Sequence, residues 1–149
     1  MLDMLPDIGP PAPSARPAPP PPPPDPGRRR RRGRTAQRTG RAAEDLVLRR
    51  YLARGWRMAA RNWRAGRAHG GGEIVLILCR PGLWLFVEVN ARRTLEEAAW
   101  ALTPAQHGRM EAAVLRWMAL HGAPEEDLRL DLALVDRAGW VEIRENAFA

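Results

Sequence analysis

Gly72-Glu73-Ile74-Val75-Leu76-Ile77-Leu78-Cys79-Arg80-Pro81-Gly82-Leu83-Trp84-Leu85-Phe86-Val87-Glu88-Val89-Asn90 is the stretch that decides how this chain folds. Two runs rich in β-branched and large apolar residues, Glu73 to Leu78 and Leu83 to Val89, flank Arg80-Pro81-Gly82, a turn sequence, and so predict a β-hairpin. Strand alternation puts Glu73, Val75 and Ile77 on one face of the first strand. It puts Trp84, Phe86, Glu88 and Asn90 on one face of the second. A third, weaker strand signal, Trp56 to Trp63, precedes them.

Outward from the hairpin, residues 41–54 read as a helix. Ala43, Leu46, Val47, Leu48, Tyr51 and Leu52 form a broad apolar face, and Gly55 stands where a C-cap belongs. Glu44 lies at helical spacing from Leu48 and Tyr51, so its carboxylate is expected on the core side. On the other flank, Thr103-Pro104-Ala105-Gln106 combines a Thr N-cap, a first-turn Pro and a Gln three residues on, the signature of a capping box. The helix it opens carries Met110, Ala113, Val114 and Trp117 at core-facing spacing and ends at Gly122. Leu128, Leu130, Leu132 and Leu134 alternate with Arg129, Asp131 and Ala133 in a further strand. Asp136-Arg137-Ala138-Gly139 then turns into a short strand, Trp140 to Arg144. The order αβββαββ describes one α/β domain with a mixed sheet.

The chain has 149 residues, one domain's worth by the usual range of ~50 to 250. Its first forty residues have a different texture. Pro dominates residues 9–27 and Arg28 to Arg32 follow unbroken, a composition with no apolar surface to offset chain entropy. Residues 1–38 are therefore expected to be a disordered tail, and residues 39–149 the domain. Residues 1–41 hold nine Arg and three Asp, a balance of +6, whereas residues 42–149 hold fifteen Arg and fourteen acids, a balance of +1. Such an arm suits a phosphate backbone or another anionic surface. Within the domain, Arg49, Arg50, Arg54, Arg57, Arg61, Arg64 and Arg67 form a second cluster, of which Arg49, Arg50, Arg57, Arg61 and Arg64 are the expected phosphate contacts, with Trp63 among them as a candidate for stacking on an unpaired base. DNA or RNA is the partner this points to. The other tryptophans fall mostly on predicted strands and helices, where burial is the ordinary expectation.

Composition removes several chemistries. Ser14 is the sole serine and sits in the proline-rich segment, which excludes a Ser-His-Asp hydrolase. There is no lysine, hence no Schiff base and no Walker lysine. Cys79 is alone, so neither an intramolecular disulfide nor a cysteine zinc site is available. His69, His107 and His121 show no metal-binding spacing. No apolar run approaches the ~20 residues needed to span a bilayer, and a cytoplasmic protein is expected. An alternative of a different class is a protein-interaction module whose run Pro19 to Pro24 binds an aromatic groove as a polyproline helix.

Carboxylate chemistry remains. Glu44, Glu73 and Glu88 occupy the first helix and both hairpin strands, and a magnesium ion takes one or two protein carboxylates with substrate phosphate and water completing its octahedron. Spacing alone favours a plainer reading, in which Glu73 is a strand-edge acid and Glu88 pairs with Arg92 or Arg93.

A family resemblance bears on this choice. Gly40-Arg41-Ala42-Ala43-Glu44, Arg61-Asn62-Trp63-Arg64, Gly72-Glu73-Ile74, Phe86-Val87-Glu88-Val89 and Thr103-Pro104 resemble, in order, the landmarks of the YraN-like family of uncharacterised bacterial proteins, from residue 40 to about 135. That family is similar to the PD-(D/E)XK nuclease superfamily, whose αβββαβ core is shared by restriction endonucleases and archaeal Holliday junction resolvases. The resemblance implies a restriction-endonuclease-like fold, Glu44 as a helix-borne acid near a metal, and Glu88 as a metal ligand. It also implies departures. The family's Gly-Glu-Ile-Asp has Val75 in place of its Asp, its Glu-x-Lys has Asn90 in place of its Lys, and a lysine expected after Thr-Pro is Gln106. The expectation is a nucleic-acid-binding protein with a degenerate nuclease centre, the alternative being an altered but active magnesium-dependent endonuclease using Glu44, Glu73 and Glu88.

Overall fold

The computed structural model describes residues 26–148. The run Pro19 to Pro24, and with it the polyproline reading, lies outside them. The elements are α1 (Pro26–Ala53), β1 (Arg57–Arg64), a 3-10 turn (Arg67–His69), β2 (Glu73–Arg80), β3 (Leu83–Ala91), α2 (Leu95–Trp100), α3 (Pro104–His121), β4 (Asp127–Val135) and β5 (Val141–Arg144). The strands form one sheet in the order β1-β2-β3-β4-β5. β3 and β4 run parallel and the other neighbours antiparallel, so the sheet is mixed, with the expected αβββαβ pattern. A parallel pair needs a long crossover, here supplied by α2 and α3.

Two apolar layers sandwich the sheet. On one face Val47, Tyr51 and Ala43 of α1 pack on Leu76, Leu78, Leu85 and Val87. On the other, Met110, Ala113, Val114 and Trp117 of α3 pack on Ile74, Ile77 and Phe86. The hairpin forms as the sequence predicts, from Leu76 opposite Val87 to Arg80 opposite Leu83. Its Pro81-Gly82 turn places Gly82 at φ 75°, a conformation glycine adopts without steric cost. The predicted capping box at Thr103 is also present, with Thr103 Oγ1 accepting from the Gln106 N–H and Gln106 Oε1 accepting from the Thr103 N–H.

Four expectations change. First, α1 begins at Pro26, so residues 26–38 of the supposed disordered tail are helical. Composition reports whether a segment can bury surface. It does not report that a segment continuing a packed helix escapes the nucleation cost, and arginine is a good helix former. Second, α2 is an additional helix, capped by Thr94, whose Oγ1 accepts from the Glu97 N–H. Third, alternation fails at Val75. Ile74 and Ile77 enter the α3-side layer while Val75 packs against the α1-side layer next to Leu76. The cause is a local irregularity. Asn62, at φ 51°, stands between the pairs Arg61–Leu76 and Trp63–Ile74, β1 shifts register against β2 between Met58 and Ala60, and β2 pairs with β3 only from Leu76 onward. Fourth, Trp100 and Trp140 are exposed. Among the described residues no helix is long and apolar enough to cross a membrane.

Candidate functional site

Where β2 stops pairing with β3, the strands leave a cleft of about 260 Å³ bordered by Gly72, Glu73, Val75 and Glu88 of the sheet and by Gln106 and Arg109 of α3. Its back wall is close-packed. A Cβ on Gly72 would overlap the Arg109 carbonyl, so only glycine lets β2 start this near α3. Of the candidate acids, Glu73 and Glu88 therefore share the cleft. Glu73 is held by Arg64, Nε to Oε2 3.0 Å, in keeping with its reading as a strand-edge acid. Glu88 pairs with neither Arg92 nor Arg93. Among the described residues no hydrogen bond or ion pair reaches it, and burial, reinforced by the charges of Glu73 and Glu44, pushes its carboxyl up to about 7.

Glu44 projects from α1 with its side chain 18% exposed, on the core side as expected. It borders a different hollow, with Arg31, Thr35, Val89, Ala91 and Arg92. Arg61 grips it, with Nη2 at 2.8 Å and Nε at 3.2 Å from Oε2, and also holds Asp45 at 2.7 Å. The two carboxylates keep Arg61 protonated above its usual range. The three acids thus converge only in part. Glu44 is near enough to act on Glu88 electrostatically, but it is already compensated.

The three substituted positions also separate. Val75 and Gln106 border the cleft, and Gln106 is occupied as a helix cap. Asn90 is buried under α2, where its Nδ2 donates to the Ala98 carbonyl at 3.3 Å. Magnesium requires near-octahedral oxygen coordination. In this cleft Glu73 is engaged by Arg64, and the third wall is the Val75 isopropyl group. Among the described residues no three His, Cys, Asp or Glu side chains are grouped to hold a metal ion. With no oxygen ligand at Val75 and Glu73 engaged by Arg64, the cleft lacks part of the carboxylate set that the resemblance implies for magnesium.

Several of the arginines expected to contact phosphate have partners of their own. Arg49 bonds the Asp45 carbonyl at 3.3 Å, Arg50 the Val141 carbonyl at 3.3 Å, and Arg57 sits 3.7 Å from the Cys79 sulfur. Arg61 and Arg64 are in the ion pairs described above. Trp63 packs edge-on against Trp117, ring centroids 5.3 Å apart, and belongs to the α3-side core rather than to an open surface. In contrast, Arg30, Arg31, Arg34, Arg38 and Arg41 on α1 are exposed and form no ion pair among the described residues.

Sequence reasoning missed two residues near this region. Arg109 lies one helical turn from Gln106, an i, i+3 spacing that puts both on one face, so the signal was present. Asp131 was read only as part of a strand alternation. It is fully buried, accepting from the Tyr51 hydroxyl at 2.8 Å and Arg129 Nη2 at 2.9 Å on one oxygen and from the Asn146 N–H at 3.0 Å on the other.

Comparison with known proteins finds the same landmarks. The uncharacterised protein family UPF0102 matches residues 43–135. A UPF0102 protein of Roseobacter denitrificans is 40% identical over 120 residues, covering 78% of this chain and 88% of that relative. One of Ruegeria pomeroyi is 43% identical over 112 residues, covering 73% and 86%. One of Bradyrhizobium diazoefficiens is 39% identical over 101 residues, covering 67% and 73%. The match spans α1 from Ala43 onward, the hairpin with its cleft, α3 and β4, and on it the chain belongs to the uncharacterised protein family UPF0102, the YraN-like proteins.

Proposed function

We propose that this protein binds nucleic acid, DNA or RNA, through phosphate contacts and does not cleave it. The observation that carries the reading is the first half of α1. Residues 26–41 contain eight arginines and no acid, and the described side chains from Arg30 to Thr39 are exposed. A helix without an apolar face has no core to pack on, and a charge of one sign along it fits a polyanion. The hollow between this helix and β3 continues the basic surface, with Arg31 on one wall and Arg92 on the other.

Loss of cleavage follows from the cleft. A nuclease of the PD-(D/E)XK kind needs oxygen ligands on the metal and a cation beside the scissile phosphate, and losing one such positioned donor typically costs ~100- to 1000-fold in rate. Val75 supplies no oxygen and Asn90 no charge. Arg109 borders the cleft, but a planar guanidinium does not replace a compact ammonium.

Anisotropy titrations of the full chain with labelled duplex, branched and single-stranded oligonucleotides test the reading. Affinity should fall steeply as salt rises, log K against log salt sloping by about 0.7 to 0.9 per phosphate contacted. All substrates should stay intact in magnesium or manganese. Absence of salt-dependent binding overturns the reading. Metal-dependent cleavage that disappears in Glu88→Ala establishes the altered endonuclease instead.

A further inference from the structure

Trp100 is 84% exposed, the most exposed large apolar side chain among the described residues. Its position follows from helix geometry. Ala98 is the buried residue of α2, and at 3.6 residues per turn Trp100 lies about 200° further round, on the side away from the sheet. A single exposed apolar side chain is ordinary on a protein surface and by itself carries nothing. What distinguishes Trp100 is its company. It shares a shallow, open hollow with Arg92, Thr94, Glu96 and Glu97.

Arg92 joins this hollow to the basic one beside α1. It borders the groove that holds Arg31, Thr35 and Thr39, and the adjoining one that holds Arg93 and Arg137. The backbone here is tied down. Arg92 N–H donates to the Val135 carbonyl at 3.0 Å and Arg137 N–H to the Arg93 carbonyl at 3.3 Å, which fixes the segment to the end of β4, while Arg92 Nη1 donates to the Ala91 carbonyl at 2.7 Å and leaves the other guanidinium N–H groups for a phosphate. An indole face therefore opens beside an anchored arginine, at the end of a track of arginines.

We propose that this hollow seats an unpaired nucleobase, stacked on Trp100, while Arg92 holds the adjoining phosphate, so that the preferred ligand is single-stranded nucleic acid. The assignment rests on the proposed nucleic-acid binding and names the strand state that it favours. Stacking on an aromatic ring and phosphate pairing with a basic groove are the two elements of sequence-tolerant single-strand binding, and a paired base inside a duplex cannot present its face to an indole. The acids of the hollow orient the strand. Glu97 lies 3.8 Å from Arg93, and Glu96 repels phosphate on the α2 side, which leaves Arg92 as the phosphate side and the indole as the base side. Trp63, half-buried and packed edge-on against Trp117, is the poorer candidate for this role.

The test is equilibrium binding of the full chain to a labelled oligo-dT, an oligo-U and a blunt duplex of equal length, for the wild type, Trp100→Ala, Trp100→Phe and Arg92→Ala. Trp100→Ala should weaken both single strands by about 5- to 150-fold and leave the duplex unchanged, with Trp100→Phe recovering most of the loss. Arg92→Ala should reduce the single-strand salt slope by about 0.7. Wild-type binding unaffected by Trp100→Ala overturns the stacking assignment and leaves the proposed function standing. Equal weakening on duplex and single strands also overturns it, as does a self-association in sedimentation that Trp100→Ala abolishes, which assigns the indole to a second copy of the chain. Failure of the wild type to bind any of the three overturns both.

Discussion

Asp131 and Glu88 sit almost side by side in the parallel pair β3–β4, Val87 being opposite Asp131 and Glu88 opposite Leu132, yet they meet opposite electrostatic fates. Asp131 faces α1 and has three donors. Glu88 faces α3 and has none among the described residues, only the fields of two other acids. A buried carboxylate with a tyrosine, an arginine and a backbone N–H aimed at it is part of the framework, joining the first helix to the last long strand. A half-buried carboxyl whose neighbours oppose its charge is not justified by stability. The two therefore contrast a framework carboxylate with the carboxyl of a candidate site.

The largest expected effect attacks the scaffold side. Asp131→Ala strands the Tyr51 hydroxyl and the Arg129 guanidinium around a buried void and should cost about 3–5 kcal/mol, read from the urea midpoint. Tyr51→Phe, which removes one donor and leaves the ion pair, should cost only about 1 kcal/mol. Equal losses for the two variants would show that Asp131 is held by the hydroxyl alone and would end the contrast with Glu88.

On the site side the sign reverses. The Glu88 carboxyl, at about 7 when folded, lies above its ordinary 4.5, so between those values the folded state binds more protons than the unfolded chain. Stability contributed by this group therefore falls as pH rises through that window, by an amount on the order of 3 kcal/mol once pH exceeds 7. Glu88→Gln should abolish this component, making the variant more stable than wild type at pH 8 and nearly equal at pH 4.5. Denaturant midpoints of both proteins across that range measure the difference. A variant less stable than wild type at pH 8 would mean that Glu88 has a stabilising partner.

How much of this was visible beforehand depends on the range of the interaction involved. The hairpin was legible because the β-branched runs and Pro81-Gly82 are local signals, and the cap at Thr103 because Thr, Pro and Gln lie within one turn. Thr94-Leu95-Glu96-Glu97 carried the same kind of signal, but six residues leave no room for an apolar period, and α2 was passed over. The sharing of one cleft by Glu73 and Glu88 followed from their places on adjacent strands. The separation of Asn90 from Val75 did not, because alternation assumes regular strands, and the irregularity opposite Asn62 together with the docking of α2 over Asn90 are tertiary events. The same holds for Arg61. Its spacing among other arginines suggested a phosphate contact, whereas its two carboxylate partners come from α1, far along the chain.

That last pair gives the smallest effect and the finest test of the comparison. Arg61 and Glu44 have side chains 29% and 18% exposed, so the ion pair is partly screened and Arg61→Ala should cost about 1 kcal/mol. Its more specific consequence is on Glu88. Arg61, 2.8 Å from the Glu44 carboxylate, opposes part of the field that Glu44 sends into the cleft. Without Arg61, that charge acts on Glu88 undiminished, and since a like charge disfavours ionisation, the Glu88 midpoint should move above its wild-type value of about 7. Carboxyl carbon shifts of the glutamates, followed by NMR through a pH titration, resolve Glu88 from the exposed acids. A midpoint that stays in place when Arg61 is removed would show Glu44 to be electrically remote from the cleft, leaving burial and Glu73 as the whole cause of the perturbation and Glu44 as a purely structural acid of the same kind as Asp131.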